Sequence, residues 1–156
     1  MFTILSWDIA SIAGLVSIFH HVVSGRLLVA FSPLTFMRNP SGWIQSLSRY
    51  HIVSTAGPDF AYLLATKKTT DSQLPDWDLS HLRICVSGGE TVRASTWSKF
   101  YEKFQKAGLR HTALGTGYGM AETVRHSTII TLSRIVEYHL FPIHAHTTNF
   151  QEHTLP

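Results

Sequence analysis

The chain has 156 residues, which is the size of one domain and enough to bury a single core. Hydrophobic residues make up 44% and charged residues only 15%, a composition that favours a buried α/β core over a disordered chain. The formal net charge is +3 and the basic residues are scattered, so we expect no nucleic-acid partner.

The N-terminal part predicts a buried helix between residues 9 and 24, ended by Gly25. Its apolar run is too short to cross a bilayer, and no positive charge precedes it as in a signal peptide. We therefore expect no transmembrane segment. The single cysteine, Cys85, cannot form an internal disulfide, which favours a reducing compartment and predicts a cytoplasmic protein. Within its apolar run Cys85 is interpreted as a small filler, not as a nucleophile.

The first half of the chain alternates short apolar runs with helical patterns. Strands are predicted at Arg26 to Phe31 and at His51 to Thr55. Two helices are predicted, from Pro40 to about Tyr50 with Asn39 as its N-cap, and from Pro58 to Lys67. The side chains expected to face inward are Trp43, Ile44 and Leu47 on the first helix, and Phe60, Leu63 and Leu64 on the second. The polar segment 68–78 is predicted to be a surface loop.

The second half contains a strand–helix–strand pattern. Apolar runs at Leu82 to Val86 and at His111 to Leu114 predict strands. The helix between them carries aromatic residues at helical spacing, namely Trp97, Phe100, Tyr101 and Phe104. A βαβ unit of this kind predicts an α/β fold, a partial and mostly parallel sheet flanked by helices. The glycine-rich loops 87–90 and 115–122 then fall at the carboxyl edge, where such sheets bind ligands.

The tail after residue 123 differs in character, because five of the ten histidines lie there. His144 and His146 have the spacing of a metal pair on a strand, but no cysteine or carboxylate stands at a supporting distance. We therefore expect no metal site there. The predicted division is residues 1–123 as one part and residues 124–156 as a histidine-rich tail.

Three stretches together resemble the adenylate-forming, AMP-dependent synthetase and ligase family, and most of all its fatty-acyl-AMP ligase branch. The stretches are SPLTFMRNPSGWIQSLSRY, AGPDFAYLL, and DLSHLRICVSGGETVRASTWSKF followed by GYGMAET. The resemblance covers roughly residues 5–123, so residues 1–123 are identified as the central part of an AMP-binding adenylation domain. It implies a fragment of the large domain of such an enzyme.

The resemblance also implies roles for individual residues. Gly88 and Gly89 let the backbone lie against adenine, and Glu90 shapes that loop or stabilises a helix start. Tyr118, followed by Gly119, would stack on the base. Each of these has an ordinary structural interpretation as well, as a turn glycine, a packed aromatic residue or a capping acid.

The metal role falls on Glu122, which matches the family's acidic ligand to Mg²⁺. By itself it would equally be a solvated acid. Ala121 stands where acyl-CoA synthetases usually have threonine, and in this it is similar to the acyl-AMP ligases.

The implied function is ATP-dependent activation of a fatty or other carboxylic acid to an acyl-adenylate, with ATP/AMP and Mg²⁺ as cofactors. An acyl carrier protein or CoA would accept the acyl group. The family's phosphate loop and the small domain with its catalytic lysine have no counterpart in these 156 residues, which predicts an inactive isolated chain. Two alternatives stay open, a non-catalytic interaction module and an unstable truncated product.

Overall fold

The computed structural model describes residues 18–19, 21–25, 27–118, 128–131 and 134–136. These residues form a sheet of five strands whose spatial order follows the chain. The strands are β1 (Ser54–Gly57), β2 (Ile84–Ser87), β3 (Leu114–Tyr118), β4 (Thr128–Thr131) and β5 (Arg134–Val136).

The first three strands are parallel and the last two are antiparallel additions. β2 pairs with β1 in the register Thr55–Cys85 and with β3 in the register Cys85–Leu114. β4 then pairs antiparallel with β3, and β5 with β4. The predicted α/β class with a parallel sheet is confirmed, while the antiparallel edge was not anticipated.

Within residues 27–118, four α-helices precede or connect the parallel strands. They are α1 (Pro33–Arg38), α2 (Pro40–Arg49), α3 (Asp59–Lys68) and α4 (Ala94–Phe104). Short 3₁₀ turns follow at Asp71–Asp76, Gln105–Ala107 and His111–Ala113. No helix within the described ranges is long and apolar enough to cross a membrane.

Helix α2 begins as the sequence predicts. The Asn39 side chain accepts a hydrogen bond from the Gly42 backbone N–H at 3.1 Å, and Pro40 occupies the first helical position. The predicted inward residues Trp43, Ile44 and Leu47 are all buried. Trp43 also donates from its indole N–H to the Thr55 hydroxyl at 3.2 Å, which fixes α2 on β1.

An aromatic cluster around Tyr62 joins three of the helices. The Tyr62 ring centroid lies 4.9 Å from that of Trp43, 4.6 Å from that of Trp97 and 5.1 Å from that of Phe100. Such tilted and edge-to-face pairs add about 1 kcal/mol each beyond the buried area. The aromatic face predicted for α4 is confirmed, since Trp97, Phe100 and Phe104 are buried and Tyr101 packs partly against them.

Several predicted strands differ from the structure. Residues 27–31 have no regular structure, because a strand needs a hydrogen-bonding neighbour and none of the five described strands pairs with them. The strand predicted from His51 begins only at Ser54. His51 itself has a left-handed φ of 48°, which turns the chain before the strand starts. The turn at Gly25, with φ 61°, ends the first described helical residues as predicted. The predicted burial of this helix is wrong for its described residues, since Phe19, Val22 and Val23 are exposed.

The inward face predicted for α3 is wrong in part. Phe60 is 40% exposed, and the buried residues are Asp59, Ala61, Tyr62 and Ala65, while Leu64 packs only partly on the core. The helix presents a different face to the core than predicted, because its first residue, Asp59, accepts hydrogen bonds from Arg93 and Thr96. This contact positions the loop described next.

Candidate functional site

The connection from residue 87 to residue 93 leaves the sheet at the carboxyl ends of three parallel strands. Ser87, the last residue of β2, stands in register with Gly57 of β1 on one side and with Thr116 of β3 on the other. Ligands of open parallel sheets bind beyond this edge. The loop predicted from the sequence therefore lies where a ligand site is expected.

Gly88 and Gly117 bring this loop into direct contact with β3. A Cβ atom on Gly88 would lie 2.5 Å from the Gly117 carbonyl oxygen, closer than any real side chain approaches. A Cβ atom on Gly117 would lie 2.9 Å from Cγ1 of Val86. Glycine at 88 is thus required by packing between two backbones, whatever ligand the loop holds.

Gly89 has a different reason to be glycine. Its φ of 79° lies in the left-handed region, which side chains with a Cβ disfavour. Apart from its chain neighbours, no atom of the described residues lies within 4 Å of the place a Cβ would occupy, so among these residues the backbone at Gly89 faces open space. Gly89 therefore combines a left-handed turn, which glycine adopts without strain, with open space beside the backbone where a flat ligand group has room.

A buried carboxylate holds the far end of the loop. Asp59, 1% exposed at the start of α3, accepts from the Arg93 backbone N–H at 3.0 Å and from the Thr96 hydroxyl at 3.1 Å. The Arg93 guanidinium donates to the same carboxylate at 3.2 Å. Charge-assisted hydrogen bonds of this kind are stronger than neutral ones. Asp59 therefore ties the loop to the start of α3 and to the first turn of α4.

Glu90 contacts the same helix from the middle of the loop. Its Oε1 accepts from the Phe60 backbone N–H at 2.9 Å, one of the N–H groups that a helix start leaves without an internal partner. The carboxylate thus stabilises the first turn of α3, and not the helix that follows the loop in sequence. This contact fits the loop-shaping interpretation of Glu90.

Tyr62 contacts the end of β2, where the loop begins. Its hydroxyl donates to the Val86 carbonyl at 2.9 Å, one residue before the end of β2. Burial, followed by the neighbouring Cys85, raises the pKa of Tyr62 well above its ordinary value, so the phenol stays neutral. Sequence reasoning missed both Tyr62 and Asp59. Pro58 followed by an acid indicates a helix start, but nothing in the local pattern indicates that the acid is buried.

The second predicted loop is largely a strand. Residues Gly115 to Tyr118 belong to β3, because β2 on one side and β4 on the other both pair with them. Tyr118 ends this strand, so its backbone lies at the same sheet edge as Ser87. Gly119 and Glu122 lie outside the described residues. Their predicted roles, and that of the Tyr118 ring, stay predictions.

Two depressions on the described surface lie away from the loop. One is lined by Gln45, Ser48, Arg49, Ser72, Gln73, Asp76 and Trp77. The other is lined by Ala94, Trp97, Ser98, Tyr101 and His111.

The family model for AMP-binding enzymes matches residues 3–145, which is most of the chain. The chain belongs to the AMP-binding enzyme family. The match includes the loop between β2 and α4 and the segment from Tyr118 to Glu122.

Curated relatives in this family include fatty-acyl-AMP ligases. A long-chain-fatty-acid–AMP ligase of Mycobacterium marinum is 34% identical over 125 residues, which are 77% of this chain and 21% of the relative. A medium-chain-fatty-acid–acyl-carrier-protein ligase of Moorena producens is 38% identical over 99 residues, or 64% of this chain and 17% of the relative. The predicted relationship to adenylate-forming enzymes of the fatty-acyl-AMP ligase type is confirmed.

Solved structures show the same fold. A fatty acid AMP ligase from Legionella pneumophila superimposes with a TM-score of 0.75 at 29% identity, covering 82% of this chain and 23% of that one. A fatty acyl-adenylate ligase from the same organism, solved with acyl adenylate and pyrophosphate, gives the same values. The chain spans about a fifth of the length of the curated relatives it matches, so it corresponds to a part of them.

Proposed function

We propose that the described loop is the adenine-binding edge of an acyl-adenylating enzyme, which activates a fatty or other carboxylic acid with ATP. The observation that carries the proposal is Gly89, a left-handed residue facing open space at the carboxyl edge of the parallel strands. Membership of the AMP-binding family supports ATP as the nucleotide substrate. Relatives that are named as ligases of fatty acids to AMP or to an acyl carrier protein support a fatty acid as the second substrate.

Each loop residue has a distinct part in the proposal. The peptides of Gly88 and Gly89 would lie along one face of the adenine ring, since neither carries a side chain that holds the ring away. Glu90 acts through the backbone of α3 and fixes the loop without touching the base. Tyr118 would stack on the opposite face, with Gly119 leaving space beside it.

The proposed reaction begins with attack of a carboxylate oxygen of the acid on the α-phosphorus of ATP. A new oxygen–phosphorus bond forms, the bond to the β-phosphate bridging oxygen breaks, and pyrophosphate leaves with that electron pair. Glu122 supplies a hard oxygen ligand suited to Mg²⁺, whose charge would offset that of the phosphates. The product is an acyl-adenylate.

We propose an acyl carrier protein, in preference to CoA, as acceptor of the activated acyl group. Two of the curated relatives are named as ligases to an acyl carrier protein, from Moorena producens and Teredinibacter turnerae. We also propose that residues 1–123 form the central part of the adenylation domain and that residues 124–156 are a tail. Because β4 pairs with β3, the first part of this tail continues the sheet.

Photoaffinity labelling with 8-azido-ATP tests the adenine site on the 156-residue chain. We expect the label on peptides that contain residues 87–90 or Tyr118, and competition by unlabelled AMP. Gly89→Val should reduce labelling at least tenfold, because its side chain would enter the space left for the base. Gly25→Val is a matched control, since Gly25 is also left-handed, with φ 61°, and also faces open space. Equal labelling of the two variants would refute the assignment.

Catalysis is tested separately by ATP–pyrophosphate exchange with a panel of fatty acids. For the 156-residue chain alone we expect no exchange above that of a Glu122→Ala variant, because the chain spans only about a fifth of the length of the ligases it matches. Fatty-acid-dependent exchange above that control would show that the chain itself is catalytic.

A non-catalytic interaction module is the second candidate, favoured by a group of exposed apolar side chains. Six of them are more than half exposed: Phe19, Val22, Val23, Leu27, Leu34 and Met37. Apolar side chains concentrated in one stretch of sequence favour a protein contact over free solvent. This candidate predicts association that rises with protein concentration and does not respond to nucleotide. Sedimentation velocity with and without ATP separates it from the adenylating function.

A further inference from the structure

Two histidines and an aspartate from distant parts of the chain meet on the surface. One ligand atom each from His51, Asp78 and His81 can be chosen so that all three lie within 4.8 Å of one another. Asp78 Oδ2 and His81 Nε2 are 3.4 Å apart, and the ring centroids of His51 and His81 are 4.5 Å apart. This is the only such group within the described residues.

The spacing suits a tetrahedral cation. Zinc bonds of about 2.0 to 2.1 Å place neighbouring ligand atoms about 3.3 Å apart, close to the observed separation of Asp78 and His81. All three side chains are exposed, so the His51 ring can approach by rotating about its side-chain bonds. Two imidazoles and one carboxylate favour zinc over Mg²⁺, which prefers oxygen ligands alone. A water molecule would complete the four ligands.

The backbone around the group is fixed before any cation arrives. Asp78 Oδ1 accepts from the Ser80 backbone N–H at 2.8 Å, which leaves Oδ2 to face His81. The Asp78 backbone N–H donates to the Ser48 hydroxyl at 2.8 Å, and the His51 N–H donates to the Ser48 carbonyl at 3.1 Å. Hydrogen bonds behind the ligands, of the kind seen here, orient metal sites. Ser48 therefore links the two segments that carry the group.

The group lies at the opposite end of the parallel strands from the loop between β2 and α4. His51 precedes β1 and the pair Asp78–His81 precedes β2, so all three stand at the amino ends of these strands. Gly88, Gly89 and Glu90 follow the carboxyl end of β2. A cation bound here would be separate from the Mg²⁺ proposed at Glu122.

We propose that His51, Asp78 and His81 form a zinc-binding site that links the turn after α2 to the segment before β2. Its effect is to stabilise the amino edge of the sheet, with no part in adenylation. The site is independent of the proposed function, because none of its residues belongs to the loop between β2 and α4.

Histidine modification resolved by residue tests the site in a chain that contains ten histidines. The full chain is stripped with EDTA, desalted, and treated with diethyl pyrocarbonate with and without one equivalent of ZnCl₂, followed by peptide mass spectrometry. We expect zinc to slow modification of His51 and His81 at least tenfold. His111 should be unaffected, since its ring packs against Tyr101 at 5.0 Å, outside the group.

Matched variants separate the site from adventitious binding. Asp78→Asn keeps an oxygen for the Ser80 N–H but removes the charged ligand, and should abolish the protection and weaken calorimetric zinc binding at least tenfold. Asp76→Asn, an exposed acid two residues away, should change neither. His81→Gln gives a second loss that does not depend on the folding of the first variant. Unchanged protection of His51 in both variants, or equal protection of all histidines, would overturn the proposal.

Discussion

One aspartate lies near the carboxyl ends of the parallel strands and another near their amino ends, and the two differ in burial. These two ends are called the carboxyl edge and the amino edge. At the carboxyl edge Asp59 is 1% exposed, and its carboxylate accepts from Arg93 and Thr96. At the amino edge the Asp78 side chain is 54% exposed and uses one oxygen for Ser80. A buried carboxylate with all its donors in place fixes one loop shape. An exposed carboxylate whose second oxygen meets only the exposed His81 ring is available to an added ligand.

The comparison predicts its largest effect at Asp59. Asp59→Ala leaves the Thr96 hydroxyl and the Arg93 backbone N–H without their partner, and should lower the free energy of unfolding by about 2 to 3 kcal/mol. The loss is moderate because the Arg93 side chain is 63% exposed, so its guanidinium can be solvated by water instead. Urea denaturation followed by tryptophan fluorescence measures it.

The control is the same substitution at the other edge. Asp78→Ala in the presence of EDTA should leave the urea midpoint within experimental scatter, because solvent replaces the contacts of an exposed carboxylate. Similar losses at both aspartates would show that burial is not what separates the two edges.

The next effect tests contact between the two carboxyl-edge segments. Gly88→Ala should lower the free energy of unfolding by about 2 kcal/mol, because the new methyl group would meet the Gly117 carbonyl at 2.5 Å. Gly89→Ala should cost about 1 kcal/mol, since it meets no atom and adds only left-handed strain. A larger loss at position 89 than at 88 would contradict the close backbone approach described here.

The last effect appears only at alkaline pH and concerns Cys85, in β2. Burial raises the pKa of its thiol far above the ordinary value, so the folded chain keeps the proton while the unfolded chain releases it. The free energy of unfolding should therefore be constant below the ordinary thiol pKa, about 8.5, and fall above it by up to about 1.4 kcal/mol per pH unit.

Cys85→Ala supplies the control for this alkaline effect. Denaturation curves between pH 8 and pH 10 should show the fall in the parent chain and a shallower one in the variant. Identical pH dependence in the two chains would mean that the thiol is reached by solvent. In that case β2 would be less tightly enclosed than its position between β1 and β3 indicates.

The sequence predicted helices more accurately than strand limits. α2 and α4 carry their apolar residues at regular spacing, and α2 also has a recognisable cap, so local pattern was sufficient. α3 carries only partly buried leucines, and its orientation depends on Asp59, whose partners lie 34 and 37 residues away. The observed strands begin two or three residues later than predicted, because a strand starts where a neighbouring strand pairs with it.

The candidate site was predictable as a location but not as a set of contacts. Gly88 and Gly89 were predicted as site residues because they come directly after an apolar run and match the motif of the family. Glu90 was expected at a helix start, but the helix it contacts is an earlier one in the chain. The group of His51 and His81 was missed because its members come together only when two loops meet at one sheet edge.

The double attachment of the loop to α3 has a thermodynamic consequence. Glu90 and Asp59 both join the loop to the first turn of this helix, and Tyr62 on the same helix lies within the aromatic cluster. A ligand that stiffens the loop must therefore also protect α3 from local opening. By reciprocity, opening of α3 weakens binding of such a ligand by the same factor by which the ligand suppresses the opening, although α3 touches no ligand atom. The increase in hydrogen-exchange protection of α3 on ligand binding therefore measures the coupling free energy between the loop and the helix.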